Sequence, residues 1–200
     1  MSFIEAYNIT MGHEGVYDNN PLDRGGETYK GIARKFHPNW EGWAEVDKIK
    51  GKETSRAKIS KLLNAQADLD VQVQGFYKRE FWDKLMLDNI GENEVTTELF
   101  EQAVNQGVAT ASRHLQHALN LLNRSGKDWL DIDEDGKVGK KTIKAYDAYM
   151  ATASKLKRDK GRLVKTLVKV LNALQFDRYR DICDRATSQE VFLYGWMNRV

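Results

Sequence analysis

The 200-residue sequence holds one cysteine, Cys183, and two prolines. A single thiol excludes an intramolecular disulfide and a cysteine-rich zinc module. So few prolines, beside 15 glycines, exclude collagen-like and proline-rich fibres. No apolar run approaches the roughly 20 residues that a membrane-spanning helix needs, so no stable membrane insertion is expected. An excess of one charge is missing too: 31 Lys and Arg stand against 29 Asp and Glu, a formal net charge of +2. That balance argues against a dedicated nucleic-acid binder. The opening Met1-Ser2-Phe3-Ile4-Glu5-Ala6-Tyr7 lacks the basic and apolar regions of a secretory signal. The expectation is synthesis in the cytoplasm, with action outside only after release or export by another system. What the chain does have is 41% hydrophobic and 30% charged residues, enough for a real core in one domain or two small ones.

Phe3, Ile4, Tyr7 and Met11 recur at helical spacing and predict a helix over 3–13. The pattern then breaks. Asp18-Asn19-Asn20-Pro21 predicts a turn, and Val16-Tyr17 and Glu27-Thr28-Tyr29 are short β-prone pieces, enough for a small hairpin. Residues 54–86 carry Ile59, Leu62, Leu63, Leu69, Val73, Phe76, Tyr77 and Phe81, a long helix or two with Gly75 as its weak point. Leu99 to Asn105 and Ala109 to Leu122 predict two helices split by Gln106-Gly107. A loop follows over 123–139, then helices near 140–154, 162–183 and 188–198. Thr187 and Glu190 have the spacing of a capping box for the last of these. The pattern is predominantly helical with a small early β element, an α+β rather than an α/β layout. The loop at 123–139 is the one plausible internal boundary, giving parts 1–122 and 123–200 packed into one unit.

The segment richest in chemistry is 12–32. Glu14 ends an apolar-faced helix and is followed by Gly15. Helix C-terminal carbonyls and apolar neighbours disfavour its charged form, which suits a general acid. Asp23 lies in a Gly-rich turn whose N–H groups can keep it ionised, and Thr28 adds a hydroxyl able to orient water. Two carboxylates in contrasting environments beside such a hydroxyl form a glycosidase-like set. The bland alternative is that Asp23 forms a turn and Glu14 is a surface acid.

The run Glu14-Gly15-Val16-Tyr17, Asp23-Arg24-Gly25-Gly26-Glu27-Thr28 and Gly31-Ile32 resembles the opening of glycoside hydrolase family 108. These are lysozyme-like N-acetylmuramidases, often phage endolysins or "secretion activator" proteins. The resemblance continues through Phe81-Trp82-Asp83, Ala103-Val104-Asn105-Gln106-Gly107, Leu115-Gln116-His117-Ala118-Leu119, Asp135-Gly136-Lys137-Val138-Gly139 and Gly195-Trp196-Met197-Asn198-Arg199, nearly the whole chain in order. It implies a lysozyme-like fold and a peptidoglycan-binding segment in the second half. It also implies hydrolysis of the β-1,4 bond between N-acetylmuramic acid and N-acetylglucosamine, with Glu14 as the acid and peptidoglycan glycan strands as the partner. No cofactor and no metal are implied. Val16 stands where the family usually has a second Gly. Phage lysozymes leave five residues between their second catalytic residue and the Thr, whereas Asp23 and Thr28 leave four. The resemblance makes Asn105 a candidate for binding an N-acetyl group, against a plain helix C-cap with Gly107. Tyr17 is open between substrate-binding cleft wall and core packing. A non-catalytic wall-binding or secretion-associated protein of the same fold, or a lytic transglycosylase, are the alternatives in function.

Other motifs read more plainly. Asp131, Asp133, Asp135 and Gly136 begin like a calcium loop, but Thr142 stands where a bidentate acid belongs. His114 and His117 share a helix face without further zinc-type ligands in sight. Cys183 has no catalytic His partner and reads as filler. Residues 155–169 hold seven basic side chains against Asp159 alone. They are either a solvated helix face or a patch for an anionic partner, whether peptidoglycan stem-peptide carboxylates, wall polymers or lipid headgroups, with Val164, Leu167, Val168 and Leu171 packing inward.

Overall fold

The computed structural model describes residues 2–11, 17–19, 26–91 and 94–200. About 68% of the described residues are helical, with one small antiparallel sheet, a lysozyme-like α+β layout. The chain forms two compact units, residues 7–80 and residues 1–6 with 81–200.

The first helix, α1, runs Phe3–Met11. In the 7–80 unit, Tyr7 of α1 meets Tyr77 edge-on at 5.7 Å. Three strands follow, β1 (Tyr17–Asn19), β2 (Glu27–Tyr29) and β3 (Ile32–Ala33), in the order β1-β2-β3. The expected hairpin is thus extended by a third strand. Asp18 and Asn19, expected in a turn, are strand residues because their main chain pairs opposite Thr28 and Glu27. Lys30-Gly31 makes the tight β2–β3 turn with φ of +43° and +76°. A Cβ at position 31 would lie 2.6 Å from the Tyr77 hydroxyl, so the turn needs glycine for space as well as for φ.

Helix α2 (Trp43–Lys50) was not legible beforehand. Its turns are bound to the core by Trp43, Val46 and Ile49. The expected 54–86 helix is α3 (Arg56–Asn64) and α4 (Ala67–Tyr77), followed by a π-helical turn, Lys78–Trp82. The break falls at Gln66, whose backbone is extended, and not at Gly75. Gly75 sits inside α4 where an added Cβ would meet nothing, so its helix is carried by Leu69, Val73, Phe76 and Tyr77 in the core.

In the other unit, Phe3 packs edge-on against Trp82 and Phe100 at 5.4 and 5.9 Å. Helices α5 (Glu94–Gln106) and α6 (Val108–Leu122) are separated by Gly107, whose φ of +91° breaks the helix. Then come α7 (Lys140–Lys155), α8 (Lys160–Arg185) and α9 (Glu190–Met197). Helix α8 runs against α5, α6, α7 and α9. Its buried line is Leu163, Leu167 and Leu171; Val164 and Val168, expected inside, are only half-buried. The basic residues of 155–169 are exposed on the other side. Asp159 caps α8 by accepting from the Arg162 N–H. The expected Thr187–Glu190 capping box does not form: Thr187 begins a 3₁₀ turn, Thr187–Gln189, and α9 starts without a side-chain cap. No helix of the described residues is long and apolar enough to cross a membrane.

Candidate functional site

Glu14 and Asp23 lie outside the described residues. Thr28 and Tyr17 are placed by the small sheet. Tyr17 pairs with Tyr29 across β1–β2, while Asp18 pairs with Thr28, so alternation puts Thr28 and Asp18 on one face and Tyr17, Glu27 and Tyr29 on the other. Thr28 is half-buried. Tyr17 is 5% exposed and its hydroxyl donates to Glu27 Oε1 at 2.8 Å. Burial and the Glu27 carboxylate hold its pKa far above the ordinary value. Packing is therefore what the described residues show for Tyr17.

Glu27 is the hub of this face. Oε1 also accepts from Lys50 Nζ at 2.5 Å, and Oε2 lies 2.8 Å from Arg34 Nε. Arg34 in turn holds Asp47 through both terminal nitrogens, at 2.7 and 3.0 Å, and covers the Trp43 ring at 4.4 Å. That bidentate clamp keeps the Asp47 carboxyl below its usual pKa. Glu27 stood inside the motif that suggested the site, yet nothing in its spacing marked it as the anchor. Its three partners come from β1, from α2 and from the turn just after β3.

Asn105 sits inside α5, not at its cap. Its Nδ2 donates to the Glu101 carbonyl at 2.9 Å and to Glu101 Oε1 at 2.6 Å. Both amide protons are thereby used, and Oδ1 meets no donor among the described residues. Behind it lies a polar layer between α5 and α8. Glu101 Oε2 accepts from Gln175 Nε2 at 2.9 Å, and Glu98 Oε1 accepts from Gln102 Nε2 at 2.7 Å. The Asn172 amide lies 2.8 Å from both Glu98 oxygens, able to give N–H to a carboxylate or, turned over, to accept from the acid. Gln102 also donates to the Leu171 carbonyl, which leaves its oxygen to accept from His114 Nδ1–H at 2.8 Å. Burial raises the Glu98 pKa to about 7, raises that of Glu101, and lowers that of His114 to about 4. A carboxyl with so high a pKa could be mistaken for a general acid. All four carboxylate oxygens of Glu98 and Glu101 are instead held by side-chain amides of their own unit.

The 123–139 loop is fastened by two amides of α6, Gln116 and Asn120, and by Asn123 just past its end. Gln116 Nε2 donates to Asp135 Oδ1 and the Lys137 carbonyl at 2.8 and 3.0 Å and lies 3.3 Å from Thr142 Oγ1, while its oxygen accepts from the Gly136 N–H at 3.0 Å. Asn120 pairs with both main-chain groups of Ile132 at 2.9 Å. Asn123 donates to Asp131 Oδ1 at 2.5 Å. Gly136, at φ +78°, takes a backbone conformation that side chains rarely adopt, and an added Cβ would lie 3.1 Å from the Ala109 carbonyl of α6. The acids of the calcium-like motif thus have separate partners, Asp133 facing Lys141 at 3.7 Å. No metal-type cluster occurs among the described residues. His117 turns to Glu134 at 2.9 Å and away from the His114 partner set. Cys183 is buried, and burial raises its pKa.

A family model described as Glycosyl hydrolase 108 matches residues 7–107, just over half of the chain. The chain belongs to this family. A second model, described as Predicted Peptidoglycan domain, matches residues 110–200, from the start of α6 to the end. The solved structure of Brucella abortus SagA is similar over 97% of this chain and 94% of that one, with 20% identity and a TM-score of 0.51, a likeness of fold. No curated protein matches the chain. The two models together make it a glycoside hydrolase of the peptidoglycan-degrading, muramidase type, with peptidoglycan as its partner. The matched span, residues 7–107, covers the positions of Glu14, Tyr17, Asp23, Thr28 and Asn105.

Proposed function

We propose that the chain hydrolyses the β-1,4 bond between N-acetylmuramic acid and N-acetylglucosamine, acting at the cell wall. Glu14 protonates the leaving oxygen, Asp23 stays ionised beside the oxocarbenium-like transition state, and Thr28 orients water. Tyr17 works from the buried face of the sheet, fixing β1 through Glu27. Asn105 contributes its free Oδ1. With Nδ2 spent on Glu101, the ligand group it can serve is a donor, which fits the N–H of an N-acetyl group. The observation that carries the reading is the match of residues 7–107 to a glycosidase family directly followed by a peptidoglycan module.

The test is a zymogram on purified peptidoglycan with Glu14→Gln beside the wild type. The swap keeps size and hydrogen-bonding atoms and removes the transferable proton, so a loss of about 10²–10⁴-fold is expected. A loss below tenfold removes Glu14 from the acid role. Mass spectrometry of the digest separates hydrolysis from transglycosylation, because only the latter leaves 1,6-anhydro ends. A wild-type chain that binds insoluble peptidoglycan and does not cleave it would favour a non-catalytic binder.

A further inference from the structure

Glu101 carries a carboxylate at a position where its side chain is only 15% exposed. Burial raises its pKa, against the Gln175 N–H and then Arg199, which oppose the rise. A packed apolar side chain of similar size would cost the fold less than this acid does. What the carboxylate does is hold amides. Oε1 accepts from Asn105 Nδ2 at 2.6 Å, and Oε2 accepts from Gln175 Nε2 at 2.9 Å. The Glu101 main-chain carbonyl takes the second Nδ2 proton at 2.9 Å. The Asn105 amide cannot turn over, because Oδ1 would then face two oxygens. Oδ1 is thereby fixed as an acceptor for a group that the described residues do not supply.

The carboxylate is itself placed from the far end of the chain. Gln175 is fully buried in α8, and its Nε2 also donates to the Tyr179 hydroxyl at 2.9 Å. The Tyr179 ring stacks on Trp196 of α9 at 5.1 Å. A turn after α9, closed by the Arg199 N–H on the Trp196 carbonyl at 3.1 Å, brings Arg199 Nε to 3.9 Å from Glu101 Oε1. Trp196 and Arg199 belong to the Gly195-Trp196-Met197-Asn198-Arg199 motif. All these residues lie in the one unit formed by 1–6 and 81–200. Glu101 and Asn105 nevertheless fall in the span matched by the glycosidase model, and Gln175, Trp196 and Arg199 in the span matched by the peptidoglycan model. The structural division of the chain therefore cuts across the two family spans.

We propose that Glu101 is a positioning residue for Asn105, fixed in turn by Gln175 and Arg199, so that the 110–200 segment completes a glycan contact made by α5. The proposal rests on the reading of Asn105 Oδ1 as the acceptor for the N–H of an N-acetyl group.

The test is a double-mutant cycle on the full chain. Its readout is the dissociation constant of a tetrasaccharide of alternating N-acetylglucosamine and N-acetylmuramic acid, taken by calorimetry faster than the ligand is turned over. Asn105→Ala should weaken binding about five- to tenfold, the worth of one hydrogen bond. Glu101→Leu should weaken it at least about threefold, because a freed Nδ2 proton lets the amide present a donor as well as Oδ1. With Asn105 already Ala, Glu101→Leu should change binding by less than about 1.5-fold. Glu101→Gln should bind within about twofold of wild type. One oxygen stays on Asn105, and the new amide N–H can serve Gln175 Oε1, which lacks a donor, once that side chain turns over. Gln175→Leu and Arg199→Gln should give smaller losses that also vanish with Asn105→Ala. The thermal midpoint of Glu101→Leu should be unchanged or higher, since Gln175 keeps Tyr179 and Asn105 keeps the main-chain carbonyl. On soluble glycan strands the loss should sit in KM, with kcat within about twofold. Equal losses from Glu101→Leu in both backgrounds would make Glu101 a structural residue and overturn the proposal. So would a silent Asn105→Ala, a Glu101→Gln loss as large as that of Glu101→Leu, or a wild type that does not bind the tetrasaccharide. Losses from Gln175→Leu or Arg199→Gln that persist without Asn105 would overturn the part given to the 110–200 segment. A coupled cycle in a chain that does not cleave peptidoglycan would sustain the positioning and sink the muramidase reading. Cleavage with an additive cycle would do the reverse.

Discussion

Replacing Glu98 with glutamine should change how stability depends on pH. Glu98 is held at a pKa of about 7 by burial, against an ordinary value of 4.5. The folded state thus binds this proton more tightly than the unfolded chain does. Its stabilisation is complete below pH 4.5 and is lost as pH rises through about 7. The difference between those two values corresponds to about 3 kcal/mol. His114 works in the opposite direction: its pKa falls from 6.5 to about 4 because burial, then Arg178 and His117, oppose its charge. Its stabilisation is present above pH 6.5 and is lost as pH falls towards 4. Between pH 4.5 and 6.5 the two slopes nearly cancel in the wild type. Glu98→Gln keeps an acceptor for Gln102 and a donor for the Asn172 oxygen, and it cannot ionise. The variant should therefore show the uncompensated His114 slope, gaining about 2 kcal/mol from pH 4.5 to 6.5. Its advantage over wild type should grow by about 3 kcal/mol between pH 4.5 and 8, or roughly 6–12 °C in melting midpoint. Urea denaturation followed by circular dichroism at each pH gives the difference directly, and carboxylates common to both proteins drop out. A constant offset between the two proteins at all pH values would refute the reasoning, since it would mean that Glu98 is ionised throughout or titrates alike in both states. Peptidoglycan cleavage should survive the substitution, which separates this buried acid from Glu14.

Gln116→Ala should cost about 3 kcal/mol, because it removes two donated hydrogen bonds and leaves the Gly136 N–H unpaired inside the fold; proteolysis of the 123–139 loop, measured against wild type, should accelerate. Glu27→Ala should destabilise the 7–80 unit by about 2 kcal/mol, since the Tyr17 hydroxyl loses its acceptor and Lys50 keeps only Asp47 at 3.9 Å while Arg34 keeps Asp47. Hydrogen exchange in β1 and β2 would reveal it, and unchanged protection would count against Glu27 as the anchor. Replacing Lys157, Arg158 and Lys160 with glutamine should weaken binding to insoluble peptidoglycan, most at low salt, because exposed charges are screened over about 10 Å at 0.1 M; unchanged binding at every ionic strength would make the stretch a solvated face only.

Much was decided by residues a few positions apart. The 3.6-residue spacing of apolar side chains placed α6, α7 and α8 to within two or three residues, and Gly107 ended α5 as its place in the pattern demanded. The motifs from Glu14 to Arg199 carried the family, because a motif is a string and survives without coordinates. Tertiary structure decided what depends on distant partners. Helix α2 has weak periodicity and exists because Trp43 and Ile49 find a core. The capping box had the right letters, but the chain enters α9 through a 3₁₀ turn. Which face of β2 carries Thr28 follows from register with β1, and no single strand contains that information. The Asn105 amide is oriented by Glu101 within its own helix, four residues away. Glu101 is itself held by Gln175, 74 positions on, and Gln102 by Leu171, 69 positions on. Local propensity acts over about one helical turn, whereas burial raises a carboxyl pKa only when separate helices close over it. The raised pKa values of Glu98 and Glu101 were therefore invisible in the sequence, and the packing of α8 on α5 created them.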